Sequence, residues 1–148
     1  MATSAASERP LRLPPVVDLR GDPERRAQER PEFRGFVICG IGSLESPVLR
    51  FADQARGVVL AGPQEMILLS GSVSADGAHL HVVVADGEGR TLCGHLCHGS
   101  RVRTTMELLL ARTQGWQLGR EREPATGHLE LSVSPWPPHH PPLPGSPG

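Results

Sequence analysis

The sequence predicts one strand-rich domain with few helices, on three observations. Apolar or alternating runs of strand length recur at 35–43, 48–52, 64–74, 79–85, 91–97 and 129–133, most of them bounded by Gly, Pro, Asp or Ser. Only one stretch, 22–30, opens with a helix start signal that no strand signal contests. At 148 residues the chain has the length of one domain, enough to bury roughly 65–70 % of its unfolded surface.

Taken in order, residues 1–9 are small and polar and are expected to be disordered, as the first part of a tail over 1–10. Leu11-Arg12-Leu13 reads as a short first strand stopped by Pro14-Pro15. In DPERRAQER, Asp22 stands as N-cap with Pro23 at the first helical position. Its acids and arginines interleave, which describes a solvated helix surface better than a basic nucleic-acid patch. The run 35–43 is almost continuously apolar and is read as a strand buried on both faces. Gly40-Ile41-Gly42 lacks the third glycine and the lysine of a phosphate loop. In 48–52, Arg50 faces opposite to Leu49 and Phe51, and 53–62 reads as a loop. The stretch 64–74 is a second buried strand. Over 101–110 the signals conflict: Thr104 and Glu107 have capping-box spacing, whereas Val102, Thr104 and Thr105 favour a strand. Residues 112–127 read as a polar loop around Trp116, followed by a half-buried strand at Leu129, Leu131 and Val133. From residue 135 the proline-rich tail is expected to be extended and mobile, and its His139-His140 pair is left out of any site.

The segment DGAHLHVVVADGEGRTLCGHLCHG, at 76–99, carries the chemistry. Side chains alternate along a strand, so His79 and His81 share one face, with Cα atoms roughly 6.5–7 Å apart. Asp86-Gly87-Glu88-Gly89 is a turn of hairpin type, and Cys93, His95 and Cys97 share a face of the next strand. If the two faces coincide, His79, His81 and His95 form a three-imidazole site. Three neutral imidazoles suit zinc, and an open fourth position is the pattern of catalytic rather than structural zinc. Beside this stands a plainer reading: an exposed strand carries histidines for solubility alone. A mixed site including Cys93 or Cys97 is a weaker variant, because small thiols in strands are ordinary packing residues.

Composition limits the partners. The formal charge is −1, from fifteen basic and sixteen acidic residues, with a pI near 6.6. That balance does not suggest nucleic acid or an anionic membrane as partner. There is no tyrosine for base stacking. No apolar run approaches the ~20 residues of a membrane span, and 1–10 lacks the apolar segment of a signal peptide. Three cysteines without framework spacing fit reduced thiols. The expectation is a soluble cytoplasmic protein.

GFVICGIGSLESPVLRFA, then GPQEMILLSGSVSADGAHLHVVVADGEGRTLCGHLCHGSRVRTTMELLLA, then EREPATGHLEL, resemble the PPC (plants and prokaryotes conserved, DUF296) domain over about 11–133. The most specific pieces are Gly40 to Ser43, Glu65 to Gly71, and His79 to His95. The resemblance implies an α+β domain over 11–134, with a strongly curved, mainly antiparallel mixed sheet, few helices and assembly as a homotrimer. It moves 101–110 towards strand. A fold-level relationship to acetolactate decarboxylase, where histidines bind zinc, supports His79, His81 and His95 as metal ligands by analogy. Two features depart from the family pattern: Cys93 stands where a first glycine is usual before Gly94-His95, and no AT-hook is present.

Three functions follow as expectations. The first is a trimeric binding or assembly module with a zinc site, structural or at a small-molecule pocket. The second is DNA binding, as the family is often labelled, through a patch around Arg101 and Arg103; the charge balance opposes it. The third is a metal-dependent lyase or decarboxylase, in which zinc polarises a carbonyl and Arg50, Glu65 or Glu107 supply acid/base or anion-binding groups. The sequence holds no strong nucleophile–base arrangement, so the first is preferred. Glu65 and Glu107 also read simply as strand-end charges.

Overall fold

The structure is a computed structural model, and it describes residues 8–136. Ten strands form: β1 (Glu8–Leu13), β2 (Gly35–Glu45), β3 (Val48–Arg50), β4 (Val58–Val59), β5 (Pro63–Ser74), β6 (Gly77–Ala85), β7 (Thr91–Leu96), β8 (Arg101–Arg112), β9 (Trp116–Arg122) and β10 (Leu129–Pro135). One helix, α1 (Gly21–Glu29), is followed by a 3-10 turn at Pro31–Phe33. Eight strands make one sheet in the order β1-β8-β2-β5-β6-β7-β3-β4, and β9 and β10 form a separate ribbon. Every ladder is antiparallel, so no parallel pairing supports the expected mixed sheet.

Alternation decides which side chains enter the core. In β6, Ala78, Leu80, Val82 and Val84 are buried while His79 and His81 point outward. Leu44 from β2, Leu69 and Val73 from β5, Leu96 from β7, and Met106 from β8 complete the core, with Ala27 of α1 packed in. β2 and β5 depart from the expectation of burial on both faces. Ile38, Ile41 and Ile67 are 53 %, 54 % and 53 % exposed, and Leu68 is exposed beside them. The helix covers only one face of the sheet, so an apolar run does not by itself decide two-sided burial.

One local question left open is decided and three local expectations are corrected. The segment 101–110 is strand: β8 lies between β1 and β2, and the paired backbone groups outweigh a capping box on Thr104 and Glu107. Residues 116–122 are strand rather than loop, because they pair with β10 from Trp116↔Pro135 to Arg122↔Leu129. Asp22 is not the N-cap. Arg20 holds that position, and the Asp18 carboxylate accepts the backbone N–H groups of Arg20 (3.0 Å) and Gly21 (2.9 Å). Asp22 instead pairs with Arg25 and Arg26. Finally, β1 begins at Glu8, inside the expected N-terminal tail, and Pro135 closes β10. The rest of both expected tails, with His139 and His140, lies outside the described residues.

Candidate metal centre

The β6–β7 hairpin brings the three histidines together. His81 and His95 are register partners, and His79 lies two residues before His81 on the same face. The His79 Nε2 atom is 3.1 Å from His81 Nε2 and 3.2 Å from His95 Nδ1. One ligand atom from each ring lies within 4.8 Å of the others, a grouping that can hold a metal ion. A tetrahedral zinc with Zn–N of about 2.0–2.1 Å separates its nitrogens by roughly 3.3–3.4 Å, so the donors fit in kind and the two separations from His79 lie close to that spacing. Cys93 and Cys97 are not part of this convergent set.

The backbone beneath the rings is built for close approach. Gly71 is the register partner of Leu80, beside Ser72↔His79. Its φ is +142°, and a Cβ there would collide with the His79 carbonyl. On the other side, a Cβ on Gly94 would lie 2.8 Å from the Arg50 carbonyl oxygen, so the glycine before His95 lets β3 pack closely.

Past the His81↔His95 pair the β6–β7 ladder ends, and Arg20 spans the gap. Its Nη1 donates to the Leu96 carbonyl (3.1 Å) and its Nη2 to the Ala78 carbonyl (3.1 Å), next in sequence to His95 and His79. Glu24 completes the clamp. It accepts from Arg20 Nε (3.0 Å) and the Ala78 N–H (2.9 Å), and it pairs with His98 Nε2 (2.6 Å).

His79 and His95 stand on the wall of an open cleft of about 810 Å³, to which Arg20, Arg50, Arg120 and Glu130 also contribute. Arg50 is the register partner of His95. Arg120 reaches in from the ribbon, its Nη2 donating to Ser72 Oγ (2.5 Å) and its backbone N–H to Asp76 (3.1 Å). Of the other candidate pocket residues, Glu65 and Glu107 do not line this cleft. Glu107 faces a separate hollow with Arg12 and Ile41. Sequence reasoning missed Arg20, Arg120 and Glu130. The alternation of Leu129 and Leu131 was the only signal for the ribbon that carries the last two.

Burial lowers the pKa of His79, helped by the positive charge that His81 and Arg120 bring near it. Burial also lowers His95, with Arg50 the next cause. Both rings therefore stay neutral, as a metal requires, somewhat below the ordinary histidine range. In the metal-free protein, the unfolded chain binds protons that these rings refuse. Their contribution to stability is complete above the unfolded histidine pKa of about 6.5 and is lost as pH falls through the lowered folded values. Urea midpoints of metal-free protein are expected to fall between about pH 7.5 and about pH 5, and the fall is expected to be smaller in a His79→Ala, His95→Ala double variant.

Among the described residues, no helix is long and apolar enough to cross a membrane. The chain is similar to the bifunctional protein GlmU of two Synechococcus strains, at 45 % identity over 124 residues and 44 % over 126. Those matches take in 84 % and 85 % of this chain but 20 % of each relative, so the chain spans about a fifth of the length of the curated relatives it matches. Among solved structures, a Salmonella enterica protein is 31 % identical with a TM-score of 0.80, over 89 % of this chain and 97 % of that one. A protein of Archaeoglobus fulgidus described as metal-containing is 25 % identical, with a TM-score of 0.69 over 87 % and 95 % of the two chains. A Bacteroides thetaiotaomicron protein provisionally described as DNA-binding shares the fold, at 16 % identity and a TM-score of 0.72 over 88 % and 94 %. The family model of the Plants and Prokaryotes Conserved (PCC) domain matches residues 11–114, which hold all three histidines but not the β9–β10 ribbon. By that match the chain belongs to the Plants and Prokaryotes Conserved domain family.

Proposed function

We propose that this chain is a metal-binding module whose His79, His81 and His95 hold one zinc ion, with a fourth position open to the cleft. The observation that carries this reading is the convergence of three ring nitrogens at 3.1–3.2 Å around His79. His79 Nε2 carries either one proton or one lone pair, so it cannot make a full hydrogen bond to both neighbouring nitrogens, whereas a shared cation satisfies all three. The metal-containing description of the Archaeoglobus relative agrees with the reading. When bound, zinc supplies a Lewis-acid centre. Elemental analysis of purified, untagged protein is expected to find about one zinc per chain. Absence of zinc even after reconstitution would overturn the proposal.

The module is proposed to work as a homotrimer. The number three comes from the family resemblance, and the exposed Ile38, Ile41 and Ile67 on adjacent strands supply an apolar surface for self-association. Sedimentation is expected to give three times the 15.9 kDa chain mass; a monomer at micromolar concentration would contradict it. DNA binding is the less favoured reading. Arg103 is held by Glu45 (3.3 Å), so the arginine patch on β8 is already partly neutralised.

A further inference from the structure

We propose that the cleft beside the histidines is a binding site for a small oxyanion, received by Arg50 and Arg120 next to the bound metal. This rests on the metal-binding reading above and specifies the ligand class of that same site.

Charge favours an anion here. Three neutral imidazoles leave the full charge of a divalent ion uncompensated. Three arginines and three carboxylates share the cleft lining, so a divalent ion tips it towards positive. Two of those carboxylates are tied by neutral donors, which fix their position and leave their charge in place: Asp76 by the Arg120 backbone N–H (3.1 Å), and Glu130 by the Thr126 hydroxyl (3.1 Å).

The two guanidiniums are also free to receive one. Arg20, the third arginine of the cleft, is neutralised by Glu24 and clamped between two carbonyls. Arg50 and Arg120 are not held this way, although the Glu130 carboxylate acts on Arg120 electrostatically. They are absent from the ion pairs among the described residues. Arg50 donates from Nη1 to the Gln54 carbonyl (3.1 Å) and Arg120 from Nη2 to Ser72 Oγ. These bonds aim the side chains and leave most of each planar fork for a carboxylate or phosphate. Both are half-buried, and burial lowers the pKa of Arg120, an incompletely solvated cation that an anion would stabilise.

Placement completes the site. Arg50 is paired in register with His95, and Arg120 bonds to Ser72, the register partner of His79. The two guanidiniums therefore flank the ligand cluster from β3 and from the ribbon. An oxyanion there can put one oxygen on the metal and others on a guanidinium. Arg120 lies on the C-terminal ribbon, beyond the residues 11–114 that the family model matches.

The test is calorimetric titration of zinc-loaded protein with malonate and, separately, inorganic phosphate. Malonamide serves as the uncharged control, and zinc content is measured before and after. Saturable binding of either anion is expected, at least about tenfold weaker in both Arg50→Gln and Arg120→Gln with zinc content unchanged. Preference between the probes distinguishes a carboxylate from a phosphate ligand. Binding undiminished in both variants, or no saturable binding of either anion, would overturn the proposal. If zinc is never retained, the metal reading fails separately, and the same titrations on the zinc-free protein still judge the arginines.

Discussion

Replacing His79 with alanine is expected to abolish stoichiometric zinc binding while leaving the metal-free fold intact. His79 is the hub of the cluster, with its Nε2 next to both other ring nitrogens. Its side chain points away from the core, between the buried Ala78 and Leu80. Loss of an outer-shell partner typically costs a metal site about 10–100-fold in affinity, and loss of a ligand should exceed that. At zinc a hundredfold above the dissociation constant, binding should stabilise the wild type by about 2.7 kcal/mol. Thermal melts with and without zinc are expected to separate for the wild type and to coincide for His79→Ala. A variant that kept the full zinc-induced shift would remove His79 from the site.

The largest effect on folding is expected from Gly71→Ala. The new Cβ would meet the His79 carbonyl, a backbone atom that cannot move without breaking the β5–β6 ladder, and φ of +142° is unfavourable for any L side chain. Steric overlap and backbone strain together predict a loss of about 3–5 kcal/mol by urea denaturation. At Gly87, in the hairpin turn, an added Cβ would meet nothing within 4 Å, and Gly87→Ala should stay within about 0.5 kcal/mol. Equal midpoints for the two variants would contradict the close packing behind His79.

The centre of the molecule was legible because its pattern is strict. Alternation across His79, Leu80, His81 and Val82 put the two histidines on one face, and the Gly/Asp turn marked a hairpin able to bring His95 to them; the His81↔His95 register itself is seen only in the structure. The arginines around the cleft were harder to read. Arg20 reaches Ala78 and Leu96 across 58 and 76 residues, contacts that no local pattern encodes. β9 buries only Leu118, so it lacks the alternation that marks a half-buried strand, and Arg120 went with it; the alternation of Leu129 and Leu131 marked β10 without showing that Glu130 lines the cleft. Arg50 could be assigned to the outward face of its strand, but its register with His95 depends on β3 pairing with β7 rather than with a sequence neighbour. The apolar runs of β2 and β5 misled for a different reason. Hydrophobicity does not distinguish a face buried within one chain from one left exposed on it.

Three imidazole nitrogens sharing one metal ion are the centre of the proposed function, and X-ray absorption at the zinc edge of the loaded protein addresses them directly. The expected result is three histidine nitrogens at about 2.0–2.1 Å, plus one further oxygen or nitrogen and no sulfur. A sulfur shell near about 2.3 Å would place Cys93 or Cys97 on the metal and contradict the three-histidine centre.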